Sequence, residues 1–303
     1  MEKVNICMIA YNQEAYIAQA IESVLSQKTN FGFKLVIGDD CSQDKTRIII
    51  KKYKQKYPRK IHLVLNNTNK GIMSNWLKTI SFCQGQYIAA LDGDDYWSNK
   101  NKLQIQADFL DKHPNFSLCF HPAEAFYQDQ PSRTYIIPSK TNDFSYLNLL
   151  KNNFIATCTV MYRNGLINQI PDQFLSLRVN DWPYHILYAS QGEIGFVNKI
   201  MSRYRIHKQS YLSSHSIINN YIDNINIYNV VDTYLKYRYH SIFKPLIVKQ
   251  YCIITQEYLK KHQYLSAKKN LKRAYQLLGP IKALTNKDWL KIFIKSRLMP
   301  CPI

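Results

Sequence analysis

Apolar and polar positions alternate in blocks along the first hundred residues. Val4 to Ile9 is a short, almost wholly apolar run followed by Tyr11-Asn12-Gln13-Glu14, which reads as a buried strand and a turn. Residues 15–27 then place Ile17, Ile21, Val24 and Leu25 on one side at helical spacing. A second strand is predicted over Lys34 to Ile37 and a second helix over residues 45–57, closed by Pro58. Ile61 to Leu65 reads as a third strand, and Met73 to Cys83 as a helix that Gly85 ends. Strand and helix thus alternate three times before the next apolar run, Tyr87 to Leu91. That is the grammar of a mostly parallel sheet flanked by helices.

This last run breaks into Asp92-Gly93-Asp94-Asp95. Three carboxylates cannot follow a strand into the core without a large desolvation cost, so the strand ends there. Gly93 lets the backbone turn sharply and brings the flanking carboxylates toward one point. Two readings fit these few residues: half of a site for a hard divalent cation completed by a diphosphate, or an acidic surface turn in which Asp95 caps the next helix. The second strand ends in the same way, in Gly38-Asp39-Asp40-Cys41-Ser42-Gln43-Asp44. Ligands of open α/β sheets bind beyond the carboxyl ends of the strands. Two acidic clusters at such ends favour a functional site. No G-x-G-x-x-G follows the first strand and no G-x-x-x-x-G-K-[ST] occurs, so dinucleotide and P-loop fingerprints are both absent.

Beyond Trp97 the pattern is looser. Leu103, Ala107 and Leu110 are helix-spaced before Pro114, and Ser117 to Phe120 is strand-like. Residues 123–142 show no clean period and read as a loop, while Asn153 to Tyr162 reads as a strand turned by Arg163-Asn164-Gly165. Asp181-Trp182-Pro183-Tyr184 opens a helix to about Ala189. After residue 212 only helices are predicted, near 217–236, 242–260 and 263–278, the last ended by Gly279-Pro280. The expected division is an α/β domain over 1–211, then a basic helical region over 212–303.

Composition and charge sharpen this picture in two places. The 303 residues contain 40 Lys and Arg against 21 Asp and Glu, and residues 212–303 alone hold 15 basic and 4 acidic side chains. A polyanionic partner fits that imbalance, as does simple solvation of the charges. In the tail, Trp289, Ile292 and Phe293 line one side of a predicted helix and Lys287, Lys291 and Lys295 another. That helix either lies on an anionic membrane or closes the helical region with its aromatic side buried. Seven scattered cysteines without a C-x-x-C pair point to reduced thiols in a cytoplasmic compartment and away from zinc. The chain starts directly on a strand-like segment without a signal-peptide pattern, and no apolar run approaches the roughly 20 residues of a membrane span.

The ordered set of motifs resembles the inverting nucleotide-sugar glycosyltransferases of family 2, which have the GT-A fold. The resemblance covers about residues 3–211 and implies that 1–211 is a catalytic domain, with nucleotide-sugar binding in about 1–97 and the acceptor side in about 98–211. It rests on Val4 to Asn12, on Val36 to Thr46, on Gly85 to Trp97, on Asn180-Asp181-Trp182 and on Tyr204-Arg205-Ile206-His207-Lys208-Gln209-Ser210. It implies a nucleotide-sugar donor, commonly a UDP-sugar, held by Tyr11, Asp40, Asp92 and Asp94, with Asp40 accepting a hydrogen bond from the base. It also implies Mn2+ or Mg2+ on Asp94 and Asp92, with His207 as a further metal or diphosphate contact, and Asp181 as general base. The family's usual Glu-Asp pair is here Asn180-Asp181. Trp182 is a candidate for sugar stacking and equally for the core. The acceptor implied is a saccharide or lipid-linked saccharide in cell-surface polysaccharide synthesis, reached from the cytoplasm or the cytoplasmic face of the membrane, and nucleic acid is not expected. A sugar-nucleotide nucleotidyltransferase and a non-enzymatic nucleic-acid- or carbohydrate-binding module are the competing classes; the first lacks its Gly- and Arg-rich phosphate loop, the second any recognisable signature.

Overall fold

The computed structural model describes residues 2–138, 143–167, 169–179, 181–208, 210, 215–279, 289 and 291–293. The chain divides into two compact units, Met1–Lys208 and Gln209–Ile303.

The first unit opens with the alternation that the sequence predicts: β1 (Val4–Ala10), α1 (Ile17–Leu25), β2 (Phe33–Asp39), α2 (Thr46–Lys56), β3 (Ile61–Leu65), α3 (Ile72–Ile80) and β4 (Tyr87–Asp92). After the short β5 (Tyr96–Trp97) come α4 (Lys102–Lys112), β6 (Phe116–Phe120), β7 (Ala123–Tyr127), β8 (Gln130–Ile137) and α5 (Tyr146–Lys151). The unit closes with β9 (Met161–Arg163), α6 (Asp181–Ala189), β10 (Glu193–Phe196) and β11 (Ser202–Ile206). Seven strands form the main sheet in the order β10-β6-β9-β4-β1-β2-β3. The pairs β4–β1, β1–β2 and β2–β3 are parallel, and β9 alone runs antiparallel, to both β4 and β6. β1 and β4 are almost completely buried because α1 and α3 supply apolar faces such as Ile17, Ile21, Val24, Met73 and Trp76. Gly38 marks how closely α3 approaches β2: a Cβ there would meet Thr79 Oγ1 at 1.8 Å.

A second sheet of four strands, β5-β11-β7-β8, stands beside the first, and here the structure corrects the sequence reading. Residues 123–137 are not a loop; β7 and β8 make an antiparallel hairpin from Ala123 to Ile137, and 139–142 lie outside the described residues. β8 is exposed along nearly its whole length, so no apolar alternation betrays it. The strand read over Asn153 to Tyr162 shrinks to Met161–Arg163 behind a 3-10 turn at Thr157–Thr159. There the Cys158 carbonyl accepts from Trp97 Nε1 at 3.0 Å and from Ser202 Oγ at 2.8 Å, tying the turn to β5 and β11 instead of to a ladder.

The second unit carries α7 (Ile217–Tyr234), α8 (His240–Lys260) and α9 (Tyr264–Leu278). Trp289 and Ile292, offered by the sequence as one half of a membrane-lying helix, are 5% and 1% exposed. They pack with Val248, Cys252, Leu259, Ala267, Leu271 and Ala274, and Trp289 stacks on Phe293 with ring centroids 4.8 Å apart. An apolar face already inside a core cannot also enter a bilayer. The membrane reading of the tail is therefore replaced by a structural one. Lys287 and Lys295 lie outside the described residues. No helix among the described residues is long and apolar enough to cross a membrane.

Candidate active site

Three adjacent parallel strands, in the order β4-β1-β2, deliver their carboxyl ends to one edge of the main sheet. β1 ends before Tyr11, β2 ends at Asp39 and β4 ends at Asp92. The turns after β1 and β2 each contain a residue in the left-handed region, Asn12 (φ 51) and Cys41 (φ 62). They are zipped together: Asn12 N–H donates to Ser42 Oγ at 3.0 Å, Gln43 N–H to Asn12 Oδ1 at 2.8 Å, and Gln13 N–H to Thr46 Oγ1 at 2.7 Å. Tyr11 projects from this edge and is 45% exposed.

Asp39 and Asp40 are both buried, and they do different work. Asp39 is ion-paired to Arg47 at 2.5 Å, and its Oδ1 is buried without a hydrogen-bond partner. Asp40 accepts from the backbone N–H groups of Lys70 and Gly71, both at 2.8 Å, and from Asn66 Nδ2 at 2.9 Å. It therefore fixes the loop that leads into α3, and three of its roughly four acceptor positions are taken by the protein itself.

The turn after β4 is held differently from the sequence expectation. Gly93 is not in a left-handed conformation; glycine is required there because a Cβ would stand 2.4 Å from Gln13 Oε1 and 2.7 Å from Ile17 Cδ1. The turn thus lies flat against the start of α1, and Gly93 N–H donates to Ile9 O at 3.0 Å. Asp95 does not cap a helix. It is buried and accepts Arg205 N–H on Oδ1 at 2.7 Å.

Arg205, quoted in the sequence only as part of a motif, holds this turn from the second sheet. Its Nε donates to Asp94 O at 2.8 Å, its Nη2 to Gln19 Oε1 at 2.6 Å, and its Nη1 to Gln128 Oε1. The guanidinium lies 4.7 Å from the Tyr16 ring centroid, 4.8 Å from that of Phe126 and 5.6 Å from that of Tyr96. A basic residue two positions before the candidate His207, on a strand facing the Asp turn, is the signal that could have singled it out.

Around this turn the carboxylates crowd together. Burial pushes the Asp92 carboxyl well above the ordinary range, and the neighbouring charges of Asp94 and then Asp181 push it further. Asp92 Oδ1 is buried without a hydrogen-bond partner. Burial also raises Asp95, with Asp94 adding to the effect and the Arg205 N–H opposing it. Asp181, at the start of α6, is raised by burial against the pull of the Trp182 N–H and of Asn153, whose Nδ2 donates to Asp181 Oδ2 at 2.9 Å. His207, just past the end of β11, brings its Nε2 to 3.0 Å from Asp94 Oδ2. Asp92, Asp94, Asp181 and His207 are therefore neighbours although they come from three separate stretches. Trp182 is not among them on a sugar-facing surface: it is 6% exposed and its indole N–H donates to Leu149 O at 2.7 Å. Asn180, the unusual neighbour of Asp181, lies outside the described residues.

Carboxylates crowded at the carboxyl edge of a mixed, mostly parallel sheet form the candidate site, in the place where open α/β sheets take their ligands. The comparisons agree in kind. The profile described as Glycosyl transferase family 2 matches residues 5–169, and the chain belongs to that family. A putative teichuronic acid biosynthesis glycosyltransferase, TuaG, of Bacillus subtilis is 30% identical over 70% of this chain and 82% of its own length. The Escherichia coli UDP-Glc:alpha-D-GlcNAc-diphosphoundecaprenol beta-1,3-glucosyltransferase WfgD is 31% identical over 70% of this chain and 80% of its own. An uncharacterized Mycobacterium tuberculosis protein is 37% identical over 67% of this chain, a stretch that spans 58% of that relative. Among solved structures, Staphylococcus aureus TarS 1–349 in complex with UDP superposes with a TM-score of 0.61 at 16% identity, covering 97% of this chain and 90% of the other. The Pyrobaculum calidifontis mannosyltransferase PcManGT, in complex with GDP-Man and Mn2+, gives 0.55 at 13% identity, with coverages of 98% and 84%. The fold is therefore the GT-A fold that the sequence motifs imply.

Proposed function

We propose that the chain is a divalent-metal-dependent, inverting transferase that moves a sugar from a UDP-sugar to a saccharide or lipid-linked saccharide in cell-surface polysaccharide synthesis. The observation that carries this reading is the convergence of Asp92, Asp94 and Asp181 with His207 on one side of the β4 turn. The acceptor class and the uridine donor are taken from the printed activity of WfgD and the printed pathway of TuaG.

A divalent cation fits these residues. Among the described residues no three His, Cys, Asp or Glu side chains form a metal-holding group, so the protein by itself offers only a partial shell. Hard cations of the Mg2+ type are commonly held by one or two carboxylates together with substrate phosphates. Asp94 and Asp92, with the unpartnered Oδ1 of the latter, would hold such an ion, and His207 would adjust to it from its present contact with Asp94. Mn2+ or Mg2+ there supplies positive charge against the developing negative charge of the departing diphosphate.

In this reading Asp181 accepts the proton of the acceptor hydroxyl as its oxygen bonds to the anomeric carbon, while the bond from that carbon to the diphosphate oxygen breaks. Single displacement inverts the anomeric centre and needs no enzyme nucleophile. Burial suits Asp181 to the role, because a carboxylate whose pKa is raised above the ordinary value takes a proton more readily. Asp40 and Tyr11 stand where a nucleoside would lie, beyond β2 and β1, with Asp40 acting on it in part through the loop it fixes.

The test is release of UDP from a panel of UDP-sugars with Mn2+, Mg2+ or excess EDTA, using the intact chain and Asp94→Asn. Expected is metal-dependent release that EDTA abolishes and that D94N loses nearly completely while its circular dichroism stays that of the parent. Release by D94N at the parental rate in EDTA would remove Asp94 and the metal from the mechanism.

A further inference from the structure

The second unit presents one helix face that its own packing leaves unused. In α9, Ala267, Asn270, Leu271 and Ala274 are buried, and the first, third and fourth pack in the core with Val248, Cys252 and Leu259 of α8. The opposite side carries Leu265, Lys268, Lys269, Lys272 and Gln276, which recur at three and four residues and therefore share one stripe. All five are exposed. Lys260 and Lys261, in and just after the last turn of α8, are exposed as well, and Arg273 flanks the stripe, 5.8 Å from the Tyr251 ring.

Two features separate this face from an ordinary solvated one. First, residues 258–287 contain no Asp or Glu, so no acidic neighbour in sequence offsets the charge. Lys260 alone finds an acid, Glu257 at 2.5 Å; Lys261, Lys268, Lys269 and Lys272 have no ion pair among the described residues. Second, Leu265 is 84% exposed, the most exposed large hydrophobic side chain among the described residues, and it stands within this basic surround.

We infer that the outer face of α9 binds the surface of an anionic lipid bilayer, with Lys261, Lys268, Lys269 and Lys272 against the headgroups and Leu265 entering the boundary of the acyl region. A basic stripe alone would suit any polyanion. The aliphatic side chain in its midst selects the bilayer, since Leu265 gains nothing from a sugar-phosphate backbone but loses water contact on entering lipid. Binding of this kind is reversible, because it depends on a few charges and one apolar residue and not on a spanning helix. The inference is independent of the donor and acceptor proposed above, and its assay reads no sugar transfer.

The experiment is flotation of the full chain with vesicles of phosphatidylcholine alone and of phosphatidylcholine with 30% phosphatidylglycerol, at low and high salt. Each lysine close to an anionic surface is worth about a fivefold gain in binding, so K268Q/K269Q/K272Q is expected to bind the anionic vesicles roughly a hundredfold more weakly. Leu265→Ser should lose binding with its charge intact. A control, K51Q/K52Q/K56Q on α2, removes the same charge elsewhere and should bind as the parent does. Equal loss in the α2 control would reduce the effect to bulk charge and overturn the inference. So would binding of the parent to neutral vesicles alone, or tighter binding to a homopolymeric RNA that L265S leaves unchanged.

Discussion

Replacing Arg205 by glutamine tests how the second sheet holds the Asp turn. The substitution keeps the backbone N–H that serves Asp95 and removes the guanidinium, with its bonds to Asp94 O at 2.8 Å, to Gln19 at 2.6 Å and to Gln128. A hydrogen bond from a charged donor contributes about 1.5–3 kcal/mol, and the stacked rings of Tyr16, Tyr96 and Phe126 add smaller increments. These terms do not sum, because the arginine also carries a desolvation cost at 7% exposure. A net loss of about 3 kcal/mol is the working figure. For a unit of this size it corresponds to a fall in Tm of about 6–12 °C. The kinetic consequence is separable: the Asp94 carbonyl is released, the turn is free to shift, and a displacement of about 1 Å in a positioning group costs on the order of 10² in rate. Thermal denaturation gives the first number and initial rates of UDP release across a metal titration give the second. Arg205→Lys keeps the charge but reaches fewer of the three acceptors, and it should fall between parent and R205Q in both. The reasoning fails if R205Q melts within 2 °C of the parent. It also fails if R205Q melts early yet keeps the parental kcat and the parental metal midpoint, for then the clamp serves the fold and not the turn.

Two further outcomes follow from the buried titratable groups. Asp181→Asn should keep donor and metal affinity in titration calorimetry and lower turnover by about 10² or more; with the parental Asp181 raised by burial, activity should fall as pH drops through a value above the ordinary carboxylate pKa, an acid limb that D181N lacks. His121 and His185 are held neutral by burial, with pKa values lowered from 6.5 to about 3; their ring resonances should not titrate between pH 7 and 5 while the protein is folded, and because the unfolded chain takes up those protons near 6.5, each removes about 2 kcal/mol of stability by pH 5. A normal titration of either ring in the native protein would refute its burial.

The first half of the first unit was legible because its strands are buried on both faces. Runs such as Val4 to Ile9 and Tyr87 to Leu91 have no choice but the core, and the carboxylates that interrupt them mark the strand ends directly. The hairpin of β7 and β8 was not legible for the opposite reason. Gln130 to Ile136 lies exposed, so backbone pairing with β7 holds it and no apolar period records the fact. Arg205 was hidden by distance: Gln19, Asp94 and Gln128 lie far from it in sequence, and its place two residues before His207 was the one local sign. Trp289 and Ile292 fitted two helices equally well, since a stripe of aromatics at helical spacing describes a face without naming what it meets.

The same long-range assembly explains how so much negative charge persists at one strand end. Asp92 and Asp95 are raised by burial and by Asp94, so in their ionised forms they oppose folding near neutral pH. What offsets this is supplied from outside the turn. Arg205 donates from Nε to the Asp94 carbonyl and from its backbone N–H to Asp95, the Gly93 turn is pressed onto α1 where no Cβ fits, and Asn153 donates to Asp181. None of these donors satisfies Asp92 Oδ1, which remains buried without a partner. Asp95 Oδ2 is likewise buried without a partner, so two oxygens of the turn keep no protein donor, and the first lies on the last residue of the strand at the centre of the sheet. A ligand that brought positive charge to Asp92 would meet a carboxylate that burial and then Asp94 have made costly to ionise, and on the proposed reading its binding would offset that cost.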